Sequence, residues 1–104
     1  MYSIIFYVPE SHLESVKTAM FDKGAGQIGN YDCCCWQTRG AGQFRALPGS
    51  QPFVGKENVI EQIEEYKVEM ACAEEYIKEV VAALLESHPY ETPAYSVLKV
   101  FTDF

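Results

Sequence analysis

Long hydrophobic runs are missing from this sequence: nothing in it approaches the roughly 20 consecutive apolar residues of a membrane helix. The first apolar stretch, Tyr2 to Val8, lacks a basic start, is too short for a secretory core and meets Pro9 and a polar turn. The expectation is a cytoplasmic chain without a membrane partner. Basic charge is also scarce, with eight Lys and Arg against fifteen Asp and Glu and a formal charge of -7, a field that repels phosphate backbones. Nucleic acid is excluded as a partner on that ground. There are two histidines, no serine in a nucleophile-elbow setting, and four cysteines without paired zinc-type spacing. In a reducing compartment those cysteines stay thiols.

What is present is enough for one core. With 104 residues, 48% hydrophobic and 13% aromatic, the chain reads as a single domain over 1–104, too short to hold a second core and a cleft between two.

Tyr2 to Val8 is β-branched and aromatic and ends at proline, the pattern of a strand. From Ser11 the period lengthens, with Leu13, Val16 and Met20 on one stripe, which predicts an amphipathic helix. Ser11 and Glu14 have capping-box spacing, and Gly24 supplies a left-handed stop. Tyr31 to Arg39 and Gln43 to Leu47 read as the arms of a long hairpin turning at Gly40, Ala41 and Gly42. After an irregular segment rich in Pro and Gly, pairing resumes around Val59, and Tyr66, Val68, Met70 and Cys72 alternate with Glu65, Lys67 and Glu69. A second helix begins near Ala73 or Glu74, carries Ile77, Val80, Val81, Leu84 and Leu85 on one side, and ends before Pro89. Ala94 to Phe101 is the last strand.

This order of elements predicts an α/β (α+β) domain, a ferredoxin-like split βαβ sandwich with both helices on one face of an antiparallel sheet and an extended β-hairpin. The opposite face is then bare. A sheet with an open apolar face favours burial against further copies, so a homo-oligomer is expected.

Three groups of residues could carry chemistry. Cys33, Cys34 and Cys35, placed in a strand, would put the outer two on one face about 7 Å apart. Thiolates suit copper or zinc, and buried cysteine also packs as a small hydrophobe. His88, Pro89, Tyr90 and Glu91 follow the second helix as an imidazole, a phenol and a carboxylate in a stiffened turn, able to gather a ligand or simply to stop the helix. His12, on the first helix, joins them only if folding or assembly brings it there. Gly24 to Gly29 matches GxGxxG on paper but follows a helix, whereas a dinucleotide fingerprint follows a strand and opens a helix. Glu61, Glu64, Glu65 and Glu69 read as a solvated strand face or an interface rim.

The succession Gly24, Ala25, Gly26, Gln27, Ile28, Gly29, Asn30, Tyr31, Asp32, then Cys34, then Gly40 to Phe44, then Pro48, Gly49, Pro52 and Gly55 resembles one module. With Glu64 to Glu69 and the closing His88, Pro89, Tyr90, Glu91, Ala94 and Tyr95, it is similar to the insert domain of the YqfO-type (GTP cyclohydrolase type 2-like, Ngg-interacting-factor-like) family. The resemblance spans nearly the whole chain. It implies a CutA/PII-like fold that tends to trimerise, set in the family within a larger protein whose other parts hold a dinuclear metal centre. The ligands of that centre lie outside the insert, so the resemblance transfers no catalytic residue to this chain.

The expected function is a non-catalytic, oligomeric binding or regulatory module taking a small ligand or metal ion at a subunit interface, with His88, Tyr90, Glu91 and Tyr31 as ligand-binding residues. By analogy with PII and CutA, the ligand would lie in clefts between subunits, against the long hairpin and the loop after it. The alternative is a copper or zinc handling protein using Cys34 with neighbouring thiols and His88 or His12, and a metal-assisted hydrolase is the remaining reading. The cofactor is left open, with a divalent metal or copper as the candidates.

Overall fold

A computed structural model describes residues 1–104. The order is β1 (Tyr2–Pro9), α1 (Glu10–Phe21), β2 (Trp36–Arg45), β3 (Ile60–Cys72), a 3-10 turn at Glu74–Tyr76, α2 (Ile77–Ser87) and β4 (Tyr95–Lys99). The sheet runs β2-β3-β1-β4 and every neighbouring pair is antiparallel. Each βαβ unit is split by a strand of the other, since β3 lies between β1 and β2 and β1 lies between β3 and β4. This is the ferredoxin-like sandwich expected from the order of elements.

Alternation along the central strands decides which side is buried. Ile4, Phe6 and Val8 of β1 and Val68, Met70 and Cys72 of β3 point the same way and are almost completely buried. Leu13, Val16 and Met20 of α1 and Val80 and Leu84 of α2 close over them. Both helices therefore cover one face. α1 does so through the stripe expected for it, whereas in α2 Val80 and Leu84 are buried and Ile77 packs against the core, but Leu85, expected on the same side, is 45% exposed.

Three local expectations are corrected. The capping box at Ser11 does not form: α1 starts at Glu10 behind Pro9 with no side-chain cap, Ser11 Oγ is bonded to His12 Nδ1, and Glu14 pairs with Lys17. With Pro9 as the boundary residue the helix begins ahead of Ser11, so Ser11 and Glu14 lie inside it instead of capping it. The second correction concerns the hairpin, for Gly40 to Gly42 is not its tip. Trp36–Arg45 is one continuous strand in which Gly40, Ala41 and Gly42 pair with Glu65, Glu64 and Ile63, and the hairpin is the β2–β3 pair joined by residues 46–59. Glycines that look like a turn are here the smooth floor of a strand. Thirdly, Cys33, Cys34 and Cys35 precede β2 and lie in no strand, with Cys33 at φ 55, so no alternation relates them.

The stop of α1 is as anticipated. Gly24 has φ +112, its N–H reaches Phe21 O at 3.0 Å and the Ala25 N–H reaches Met20 O at 3.2 Å, the bond pair of a Schellman turn. A Cβ at Gly24 would also meet the Tyr76 ring at 2.8 Å, so two constraints select glycine there.

β1 ends opposite Glu65, while β2 and β3 continue from Gly40 to Arg45 and from Ile60 to Glu65 as a two-stranded arm. The arm stretches the domain to 47 × 23 × 23 Å. The candidate site lies at its root.

Candidate functional site

The register sorts the residues of the bare face. Tyr7, Lys67 and Thr38 stand in one row across β1, β3 and β2; Ile5, Glu69 and Trp36 stand in the next; Pro9, Glu65 and Gly40 stand on the other side. The polar residues of β3 thus form a line of Glu65, Lys67 and Glu69 along one surface, spaced about 7 Å apart. Two segments wall this line in. The connection after β2 brings Ser50, Pro52, Phe53 and Val54 over it, and the turn after α2 brings Tyr90, Glu91 and Thr92. Together they enclose a cleft of about 750 Å³ floored by β2 and β3, a volume in the range of small-molecule sites.

The walls are held by specific bonds. The Gln51 N–H donates to Glu91 Oε2 at 2.9 Å, tying the two segments together across forty positions of sequence. The Tyr90 hydroxyl donates to Glu65 Oε2 at 2.9 Å, tying the turn to the floor. Burial first, and then this bond to a carboxylate, push the Tyr90 phenol well above its ordinary value, so it remains a donor at any physiological pH. The Phe53 ring lies between two others, 5.5 Å from His12 edge-on and 6.2 Å from Tyr90.

His88 is the buttress of this corner rather than part of its lining. It is 6% exposed, its Nε2 lies 2.7 Å from Tyr7 O, and its Nδ1 accepts the Tyr90 N–H at 3.1 Å. An acceptor at Nδ1 requires the proton at Nε2, which then donates to Tyr7 O; both ring nitrogens are committed. Burial lowers its basicity, while the Tyr7 bond and Glu65 act the other way and His12 adds to the lowering. The neutral ring is the form this geometry uses.

Of the residues singled out in the sequence, the fold brings Tyr90, Glu91, His88 and His12 to one corner and leaves Tyr31 and Cys34 elsewhere. Tyr31 is 75% exposed in the turn where it bridges Ile28. Cys34 N donates to Gly26 O, and Gly26 N donates to Ala71 O, which fixes Cys34 near the Ser3 end of β1. His88 is bonded at Tyr7, toward the opposite end of that strand. Cys34 therefore does not meet His88 or His12, and no group of three or more His, Cys, Asp or Glu side chains is arranged to hold a metal ion. Of the thiols, Cys72 is in the core, Cys35 packs against it, Cys33 is exposed, and Cys34 is half-buried with its Sγ 3.6 Å from Asp32 O. Local desolvation and the charge of Asp32 raise the Cys33 thiol, opposite to what a reactive thiolate needs.

Phe53, Thr38, Lys67 and the Gly40–Gly42 floor were not foreseen as site residues. A signal existed only for the last: small residues within a strand mark close approach of another group. A Cβ on Gly42 would land on the Glu65 carboxylate, whereas one on Gly40 would meet nothing within 4 Å. Gly42 gives Glu65 room to lie flat, and Gly40 leaves an unfilled slot beside it.

The fold places the chain in the class of ferredoxin-like domains built as CutA is. CutA1 from Pyrococcus horikoshii superposes with a TM-score of 0.70 at 18% identity over 100% of this chain and 87% of that one. The PII-like protein CutA from Nostoc sp. PCC 7120 does so at 0.68 and 15% over 96% and 81%. At those identities the likeness is one of fold. In sequence the chain is similar to proteins named GTP cyclohydrolase 1 type 2 homolog: 41% identical over 97 residues in Halalkalibacterium halodurans and 37% over 94 residues in Bacillus subtilis. A Bacillus cereus protein related to NIF3 joins both kinds of similarity, with a TM-score of 0.83 and 32% identity over 97% of this chain. The chain spans about a quarter of these relatives, 26%, 25% and 26% of their respective lengths, so it resembles one module of them. No protein-family model matches the sequence.

Proposed function

We propose that this chain is a non-catalytic binding module that assembles as a homotrimer and takes a small ligand in the cleft at the root of the β2–β3 arm. The observation that carries the reading is the cleft itself, a concavity of about 750 Å³ whose walls come from segments distant in sequence and are cross-tied by Gln51–Glu91 and Tyr90–Glu65. Walls fixed before a ligand arrives reduce the ordering that binding would otherwise require. Tyr90 and Glu91 are lining groups in this reading, and His88 positions Tyr90.

Assembly is supported by the rest of the bare face. Beyond the cleft it exposes Trp36 at 69% and Leu98 at 50%, with Ile5 between them in the sheet, and both β2 and β4 are unpaired edges. Such a surface is stabilised by a further copy. The relatives' cyclohydrolase name is not extended to this chain, because neither the cleft nor any other cluster supplies a nucleophile with a base or an open metal site. A site using Cys34 with His12 or His88 would need these residues from different copies. The module works in the cytoplasm, where its thiols remain reduced.

Sedimentation equilibrium of the untagged chain at micromolar concentration tests the assembly. A mass three times the 11.7 kDa of one chain is expected; a monomer removes the oligomeric part of the proposal.

A further inference from the structure

The charges lining the cleft are unequally occupied. The Arg39 guanidinium is paired with Glu64, the Glu65 carboxylate accepts the Tyr90 hydroxyl, and Glu91 accepts the Gln51 N–H. Lys67 and Glu69 line the same cleft, and neither takes part in an ion pair or a side-chain hydrogen bond. They are neighbours on one face of β3, two residues apart, and Lys67 is partly buried between Tyr7 and Thr38. An ammonium and a carboxylate left free side by side on a half-buried floor form a dipolar pair to which a ligand of the reverse polarity is complementary.

From this row toward the arm, the floor changes character. Gly40 has no side chain and nothing within 4 Å of where one would begin, and Phe53 and Tyr90 stand over the far side. A flat apolar body fits there, sliding over glycine backbone and meeting ring edges. Polyphosphates do not suit the site: Glu65, Glu69 and Glu91 outnumber the single uncommitted cation, so each added negative charge would be repelled.

We infer, building on the cleft reading above, that the ligand is a small zwitterion with an aromatic side chain, of the aromatic amino acid class. Its carboxylate faces Lys67, its ammonium faces Glu69, and its ring occupies the slot over Gly40 beside Phe53 and Tyr90.

Titrating the full chain with L-phenylalanine, glycine, 3-phenylpropionate, phenethylamine and ATP, by calorimetry and by amide NMR shifts, tests this. L-Phenylalanine is expected to move the signals of Thr38, Gly40, Gly42 and Lys67, and the compounds lacking one charge or the ring to bind at least about tenfold more weakly, as loss of one charged hydrogen bond implies. Lys67→Met and Glu69→Gln should each weaken L-phenylalanine by a similar factor while leaving the thermal unfolding curve in place. Equal or tighter binding of ATP or of a singly charged analogue at the same amides would overturn the ligand class and leave the cleft as a binding site. If none of the five compounds shifts the cleft amides, the inference fails, whereas a monomeric mass with intact L-phenylalanine binding would sink only the assembly.

Discussion

The two faces of one sheet divide the labour in this molecule. On the helix side, Ile4, Phe6, Val8, Val68, Met70 and Cys72 are buried in one apolar cluster. On the bare side the same strands, one residue out of step, present Tyr7, Glu65, Lys67 and Glu69, which are partly exposed and partly tied to loops. Stability belongs to the first set, because close-packed apolar burial dominates folding. The proposed recognition falls to the second, because polar groups left free at a half-covered surface retain interactions to offer. A period of two keeps the two tasks on separate residues, so one can be altered without the other.

The sharpest way to break this comparison is to damage the covered face. Phe6→Ala removes a fully buried ring from the centre of β1 and is expected to destabilise by about 4 kcal/mol, read as a shift of the urea midpoint. Lys67→Met on the bare face, by contrast, should change stability by less than about 0.5 kcal/mol. Similar losses in the two variants would mean that the faces are not separate.

A medium effect is expected where a wall of the cleft is fastened to the floor. Tyr90→Phe deletes the hydroxyl that donates to Glu65, for which a loss of about 1.5 kcal/mol follows from the worth of a bond to a charged, partly screened acceptor. The second variant Glu65→Gln and the double variant complete a thermodynamic cycle. Additive effects in that cycle would show the bond to be energetically idle.

The gentlest perturbation is a proton on His88. Burial holds this ring's pKa below the ordinary histidine value, so the unfolded chain takes up a proton before the folded one does. Its contribution is complete above about pH 6.5 and drains away as the pH falls below that value toward the folded pKa. Protonation also ends the ability of Nδ1 to accept the Tyr90 N–H, which couples the loss to the cleft wall. Denaturant midpoints measured between pH 7 and pH 5 should decline in the native chain and decline less in His88→Asn. Parallel curves would remove His88 as the cause.

The elements themselves were legible because each is written in local periodicity. Leu13, Val16 and Met20 recur with helical spacing, and Tyr66, Val68, Met70 and Cys72 with strand spacing. Those patterns depend on nothing farther away than the next turn. The reading failed where a residue type has two uses. Gly40, Ala41 and Gly42 suit a turn or a strand that others must approach, and only pairing with Glu65, Glu64 and Ile63 decides for the strand. Ser11 and Glu14 suit a cap, but the helix starts at Glu10, so both fall inside its first turns. The site was half legible: Tyr90 and Glu91 stood out as polar groups in a proline-stiffened turn, while Phe53 and Lys67 looked like ordinary loop and surface residues.

The sequence by itself determined the order and type of the strands and helices, the excess of negative charge and the apolar stripe each element must bury. Only the tertiary structure decided that Cys34 and His88 lie toward opposite ends of β1, that His88 spends both ring nitrogens on the backbone, and that Lys67 and Glu69 remain free. The physical reason is range. Burial of a stripe is a demand each segment makes alone, whereas the partners of a polar side chain are set by which distant segments the packing brings within 3 Å or so of it.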